Sequence, residues 1–459
     1  MFRKILSLIL LVNSYSALAS WSSAQRILDG KNRNKAESLV KELVASGYYF
    51  SALPLMKDIL IKDGKTLSRD MDNTLTKLIE NVGVKHFETL PIRFLSRSSS
   101  SSIFYVLAKK QFRQKKYNSA LRYLARIQNG HKIYPYGKNM EASIHAFKGR
   151  NAEALKAFGE CISASKSSSD IRSKLNRDHC IAGKARVNFA MGQYVASDLL
   201  YLDVSKSSRI WPEILFEEAW NSFYLQNYNR TLGKLVSYKA PVFDNFFNPE
   251  VDVLAALSYL KLCLYPDAKK ISDKFYDENW RSFKSLHRIL KRYKRKNSYF
   301  YNLMLDFEQS GKAPNSLVRK IFKSIKSEKS YIDLRDQLGQ ISKEFNNIRN
   351  QDRSRLKSLL LENLQESLQV HKLIFGAYIK GKLKSYYQQL YKSFEGISYI
   401  KLEILAQRKA KLYDFSEGGR SRGDIQYIQR NEKQYFWDFN GEFWADELGD
   451  YVFALKSEC

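Results

Sequence analysis

Proline and glycine are scarce in this chain, at 8 and 21 of 459 residues. A multi-strand all-β fold draws on both for its turns, so the shortage argues against one. Cysteine is scarcer still, at four, which excludes a disulfide-dense scaffold. No CxxC or HExxH spacing occurs and the six histidines are scattered, so the sequence offers no metal centre and no cofactor site. Acid is short relative to base: 47 Asp and Glu stand against 76 Lys and Arg, a net charge of +29. After residue 20 no stretch is long and apolar enough to span a bilayer, which takes about 20 residues. There is no G-x-S-x-G elbow, no P-loop and no Rossmann glycine pattern, so the common catalytic signatures are missing too.

What is present is 44% apolar and 14% aromatic residues, with 29 Tyr and 27 Phe. That composition predicts a folded, all-α protein packed with aromatic side chains. The start reads as an export signal. Arg3 and Lys4 precede a short apolar run, Ile5 to Val12, and Ala17 and Ala19 supply small residues before a cut at Ser20. Residues 1–19 are therefore expected to be removed, leaving an exported, periplasmic or secreted protein. In such a compartment Cys161, Cys180, Cys263 and Cys459 are expected to form at least one bridge. Four cysteines allow three pairings. Cys161 and Cys180 flank a Ser-rich segment that a bridge would staple as a loop, which would leave Cys263 for Cys459.

A repeat runs through the first part of the chain. Small residues at Ala120, Ala154, Ser197, Thr231 and Ala268 follow polar turns, with steps of 34, 43, 34 and 37. Twelve residues before each lies another small one: Ala108, Ala142, Ala185, Ala219 and Ala256. Apolar residues follow at helical spacing. Each unit reads as two short amphipathic helices crossing at their small residues, which bury an apolar face only when stacked. The segment Phe104 to Ile127, FYVLAKKQFRQKKYNSALRYLARI, and the segment Leu215 to Pro241 resemble the tetratricopeptide repeat (TPR). The likeness covers about residues 35–278. Ser197 and Thr231 depart from the usual alanine, and residues 65–100 match badly. The resemblance implies a helical solenoid that binds other proteins, without naming them.

Beyond residue 280 the repeat fades. Residues 281–330 hold 14 Lys or Arg and 3 Asp or Glu. Leu334, Leu338, Ile341, Phe345 and Ile348 then step as a heptad seam, predicting long coiled-coil-like helices over 316–413, folded back as a hairpin or paired in a dimer. In an exported protein the basic region points away from nucleic acid. It points to anionic envelope polymers or lipid headgroups, or to a merely solvated face. Ser416 to Gly423 reads as a linker. After it, Tyr435 to Phe453 carries eight aromatics in 19 residues, and residues 431–459 hold seven acids against two bases. Trp437, Phe439, Phe443, Trp444 and Tyr451 are expected to dock this segment on the body, with Cys459 as a pin. Glu442, Asp446 and Glu447 are paired carboxylates near aromatics, as a glycan hydrolase would use, Glu442 and Asp446 sharing a face if the segment is helical. The Asn229-Arg-Thr231 triplet reads as fortuitous.

The organisation expected is a leader (1–19), a TPR-like solenoid (20–280), a basic long-helix region (281–415) and a linker with an acidic aromatic cap (416–459). The function expected is a non-enzymatic periplasmic scaffold for envelope proteins, in combination similar to periplasmic TPR proteins of envelope and gliding-motility assemblies. A glycan-binding or glycan-hydrolysing protein acting through the cap carboxylates, and a holdase chaperone, are the alternatives.

Overall fold

The computed structural model describes residues 21–31, 34–62, 66–166, 171–411, 424–426 and 428–459. The leader read over residues 1–19 and the linker Ser416–Gly423 lie outside them. The chain is all-α; among the described residues the strands are two-residue pieces, Trp437–Asp438 and Tyr451–Val452, paired in parallel.

The helices come in pairs whose geometry repeats. Lys35–Ala45 leads to Tyr49–Lys62, Ser101–Arg113 to Tyr117–Leu124, Tyr134–Phe147 to Asn151–Lys166, Ile171–Ala190 to Tyr194–Tyr201, Trp211–Tyr224 to Tyr228–Val236, and Glu250–Lys261 to Tyr265–Arg292. Every first helix closes in the same way. A residue in the left-handed region ends it: Gly47, Lys115, Gly149, Gly192, Gln226 and Cys263, with φ of 83°, 59°, 71°, 75°, 62° and 57°. The next N–H returns to a carbonyl five residues back, as in Lys116 to Gln111, Arg150 to His145 and Asn227 to Ser222, each at 2.9 Å. This closure satisfies the helix's last carbonyls and reverses the chain within about three residues.

The crossings are built from the small residues. Ala108, Ala120, Ala142, Ala154, Ala185, Ser197, Ala219, Thr231, Ala256 and Ala268 are all fully buried. Two departures from alanine have a reason. The Ser197 hydroxyl donates to the Ala185 carbonyl at 2.9 Å, and the Thr231 hydroxyl to the Ala219 carbonyl at 3.3 Å. Each hydroxyl bridges the two helices of its pair at the point of closest approach. The 43-residue step is longer because helices Asn151–Lys166 and Ile171–Ala190 are extended to 16 and 20 residues. The Cys161–Cys180 bridge, with Cα atoms 6.2 Å apart, joins these two helices and does not staple a loop.

Two compact units emerge: residues 1–137 with 332–375, and residues 138–331 with 376–459. In the first unit, helix Lys329–Arg349 turns at 350–354 into helix Arg355–Lys411. The heptad seam is half used: Leu334, Ile341 and Ile348 are buried, Leu338 is partly so, and Phe345 is exposed. Leu356, Leu360 and Leu364 answer from the returning helix. His371 Nε2 lies 2.9 Å from the Leu334 carbonyl, so the two helices run antiparallel within one chain. Their polar side chains hold the start of helix Tyr49–Lys62. Glu344 accepts from the N–H groups of Phe50 and Ser51 at 2.9 and 3.0 Å and from the Ser51 hydroxyl at 2.9 Å. Asn363 and Ser367 donate to the Ser51 and Phe50 carbonyls at 3.0 and 2.7 Å. A carboxylate at a helix N-terminus meets both orphan donors and the positive end of the dipole. Ser100 caps helix Ser101–Arg113, its hydroxyl accepting from the Ser102 N–H, and the Ser98 and Ser99 hydroxyls donate to buried Asp72 at 2.6 Å each.

In the second unit, successive pairs share apolar clusters, such as Ile181, Ala185, Tyr201, Val204 and Ile214. Residue 280, where the repeat was expected to end, lies inside the 28-residue helix Tyr265–Arg292, so the basic region begins on a repeat's second helix. Helices Asn297–Ser310 and Ser316–Ser327 follow. Gly376 lets the long helix approach within reach of Asn297: a Cβ there would lie 2.0 Å from the Asn297 carbonyl oxygen.

Candidate functional site

The second unit contains an open cleft of ≈ 610 Å³. Its floor comes from the first helices of two repeats. Relative to the buried crossing residues Ala185 and Ala219, the outward-facing positions are six before, two before and one after: His179, Gly183 and Arg186 on one helix, Glu213, Glu217 and Trp220 on the next; His179 and the latter three line this cleft, Gly183 and Arg186 the groove beside it. Those offsets trace one stripe of an α-helix, so each repeat presents the same face. Phe216, Phe246, Phe247 and Tyr386 give the cleft aromatic walls, while Arg209, Glu328, Lys329 and Lys382 supply charge. A second, more apolar groove of ≈ 460 Å³ shares His179 and adds Arg186, Phe147, Phe158, Val187 and Ala190. Phe147 is 68% exposed there. Gly183 makes room for the Phe158 ring, which a Cβ would meet at 2.3 Å.

An ion network fixes the floor between the two. Arg186 meets Glu217 through two nitrogens, Nη2 at 2.6 Å and Nε at 2.9 Å, and Nη2 reaches Glu213 at 3.0 Å. Tyr201 donates to Glu217 at 2.8 Å. Burial alone would lower the Arg186 guanidinium, but Glu217 and Glu213 more than offset it and hold the charge. Burial pushes the Glu217 carboxyl up, against the pull of Arg186. On the opposite wall Glu328 accepts from Tyr378 at 2.7 Å and pairs with Lys382 at 2.6 Å. The same carboxylate, after burial, drives the Tyr386 phenol up to about 12. A guanidinium with free donors, paired carboxylates and exposed aromatic faces can hold an extended peptide by backbone and side-chain contacts. None of these groups forms a nucleophile–base pair. Among the described residues no group of three or more His, Cys, Asp or Glu is arranged to hold a metal ion.

The acidic aromatic segment docks on this unit. Phe439, Leu448, Tyr451 and Phe453 are buried in one cluster with Trp211, Leu215, Leu232, Val236, Phe243 and Leu264; Phe443 packs at its edge. Trp437 and Trp444, expected to dock, are instead 44% and 59% exposed. Both residues of the short strand, Trp437 and Asp438, are exposed, and Phe439, just past its end, turns inward. Residues 441–450 are turns and not a helix, so Glu442 and Asp446 share no helical face. Backbone contacts complete the joint. Phe453 N–H donates to the Asn229 carbonyl at 3.2 Å. The Asn229 side chain bonds Leu455 in both directions, at 2.9 and 3.1 Å. Lys234, paired with Glu218 at 3.3 Å in a buried position, also reaches the Gly449 carbonyl.

Cys263 and Cys459 are bridged, with Cα atoms 5.2 Å apart and a sequence separation of 196. Cys263 occupies the left-handed turn position of its repeat. Replacing Cys459 by Ser is expected to cost about 2–4 kcal/mol, read as a lower urea midpoint for the second unit with the first unchanged. Equal midpoints would remove the bridge from the joint's energetics.

Sequence reasoning located the repeat crossings and the docking segment. It missed Asn229, Lys234, Gly233 and Gly449, whose roles depend on what packs across from them. No family model and no curated protein matches this chain. No helix of the described residues is long and apolar enough to cross a membrane.

Proposed function

We propose that this chain is an exported, non-enzymatic scaffold of the TPR type, which holds an extended segment of another envelope protein in the cleft of its second unit. The observation that carries the reading is the repeated presentation of one first-helix face: His179, Glu213, Glu217 and Trp220 line the ≈ 610 Å³ cleft, and Arg186, on the adjoining groove, is clamped to Glu213 and Glu217. Two disulfides and the absence of a membrane-spanning helix among the described residues fit an oxidising compartment. On this reading residues 1–19 are a cleaved leader and the mature chain works in the periplasm or outside the cell. A paired guanidinium on a rigid floor is preorganised, so a bound segment would not have to order it.

The test is photocrosslinking in the native cell envelope. A photoreactive residue replaces Ser385, at the exposed rim of the cleft, and in a second strain Lys270, which is exposed and does not line it. One or two proteins captured stoichiometrically from position 385 and not from 270 are the expected result. Arg186→Glu should then reduce that capture at least tenfold. Capture of glycan strands alone would transfer the function to wall binding. An unselective smear of exported chains would indicate a holdase.

A further inference from the structure

The docked C-terminal segment spends only part of its aromatic surface on docking. Phe439, Tyr451 and Phe453 are buried, but Trp437 and Trp444 remain 44% and 59% exposed. Both indoles line one small open cavity of ≈ 340 Å³, together with Phe436, Asp438, Glu442 and Glu447. Two large aromatic faces left to water within a dozen residues of each other are a cost that a folded segment rarely bears without a use.

The charge around the cavity is of one sign. No Lys, Arg or His is among the described residues that line it. Three bases of this region are already paired. Lys433 pairs with Asp203 at 3.4 Å and Lys206 with Asp450 at 2.7 Å. Arg230, 5.7 Å from the Phe436 ring, is bound to Asp198 at 3.1 Å. Burial and then the neighbouring Asp424 push the Asp438 carboxyl upward. The chain as a whole carries +29, so this pocket opposes the prevailing field.

We infer that Trp437 and Trp444, with Asp438, Glu442 and Glu447, form a receptor for an organic cation, an alkylammonium or guanidinium group. An indole face attracts a cation through its quadrupole, better than any other side chain, and carboxylates at the rim supply the long-range attraction and the hydrogen-bond acceptors. Envelope polymers rich in phosphate or carboxylate are repelled by the same rim. The site is distinct from the cleft and stands whether or not the cleft holds a peptide. Two sources carry this chemistry: a quaternary-ammonium headgroup, and a Lys or Arg side chain on a protein segment.

The experiment uses the mature full-length chain with 15N-labelled tryptophan, which gives six indole signals. Titrants are tetramethylammonium, a blocked Lys-Arg tripeptide and a neutral N-acetylglucosamine oligomer. Trp437 and Trp444 are assigned by single replacement with Phe. The expected result is a joint shift of these two signals with either cation, at millimolar affinity, weakening as salt rises. Glu442→Gln with Glu447→Gln should weaken binding at least fivefold, while the four other indoles keep their positions and so report an intact fold. The tighter of the two cations identifies the source. No shift with either cation, an equal shift with the neutral oligomer, or an affinity untouched by the double amide variant would each overturn the assignment.

Discussion

Gly233→Ala is expected to release the C-terminal segment from the second unit and to lower that unit's stability by about 4 kcal/mol or more. The position sits mid-helix in Tyr228–Val236, where alanine is normally preferred by roughly 0.5–1 kcal/mol. Here the sign reverses. An added Cβ would lie 1.8 Å from the Tyr451 carbonyl oxygen and 2.7 Å from the Val452 Cα. Backbone, not a flexible side-chain end, occupies that space, so relief requires the segment to move. Movement exposes Phe439, Leu448, Tyr451 and Phe453, each worth about 1.5–3 kcal/mol when fully buried, offset by the chain entropy regained. It also leaves the Lys234–Glu218 pair without the Gly449 carbonyl. Gly381→Ala is the control: nothing lies within 4 Å of its Cβ, and it should stabilise slightly. The measurements are a urea midpoint and amide exchange at 437–453. A Gly233→Ala protein with native protection there would show that the joint tolerates a methyl group and that the packing described is not the one in solution.

The same comparison shows what a linear sequence conveys. The crossings at Ala142/Ala154 or Ala219/Thr231 are legible because both partners are twelve residues apart and the pattern recurs. The helix ends are legible only in part. Gly149 and Gly192 announce a left-handed residue, whereas Lys115, Gln226 and Cys263 occupy the same position at steric cost, and nothing in those residue types marks it. The docking segment was readable as aromatic but not as to which face it buries. Trp437 and Trp444 differ from Phe439 and Tyr451 in what lies opposite them, and that is set by Asn229, Gly233 and Lys234 some 200 residues away. Phe345 fits the heptad by spacing yet is 39% exposed, while Glu344 beside it is buried and directed to the start of helix Tyr49–Lys62. The cleft was not legible at all. Arg186, Glu213 and Glu217 are ordinary helix-surface residues until stacking brings successive first helices together.

Acidification from pH 7 to pH 4 should destabilise the first unit by about 3 kcal/mol through His371, with His86 adding in the same direction. The two rings are fully buried and stacked, with centroids 5.4 Å apart. Their tautomers follow from the acceptors. The Leu334 carbonyl, 2.9 Å away, requires a proton on His371 Nε2, which leaves His371 Nδ1 bare to accept from His86 Nε2 at 3.2 Å. His86 Nδ1 is then unprotonated and without a hydrogen-bond partner. Any further proton must enter a dry site that already holds the charges of Lys57, next to His86, and Lys85, next to His371. Burial, opposed in part by the Leu334 carbonyl and reinforced by Lys85, depresses His371 from 6.5 to about 4. Burial, His371 and Lys57 push His86 well below its usual range. A cationic group depressed on folding makes the unfolded chain bind more protons. Its stability contribution is therefore complete above about pH 6.5 and is lost as pH falls toward 4. Each pH unit within that window is worth about 1.4 kcal/mol per group. His371→Gln keeps a donor for Leu334 and cannot titrate, so its unfolding free energy should fall less steeply with acid. The readout is the difference in slope between the two proteins, which cancels the carboxylates they share. Parallel slopes would mean that the pair takes up its proton in the folded state, and that the ring stack is open to water.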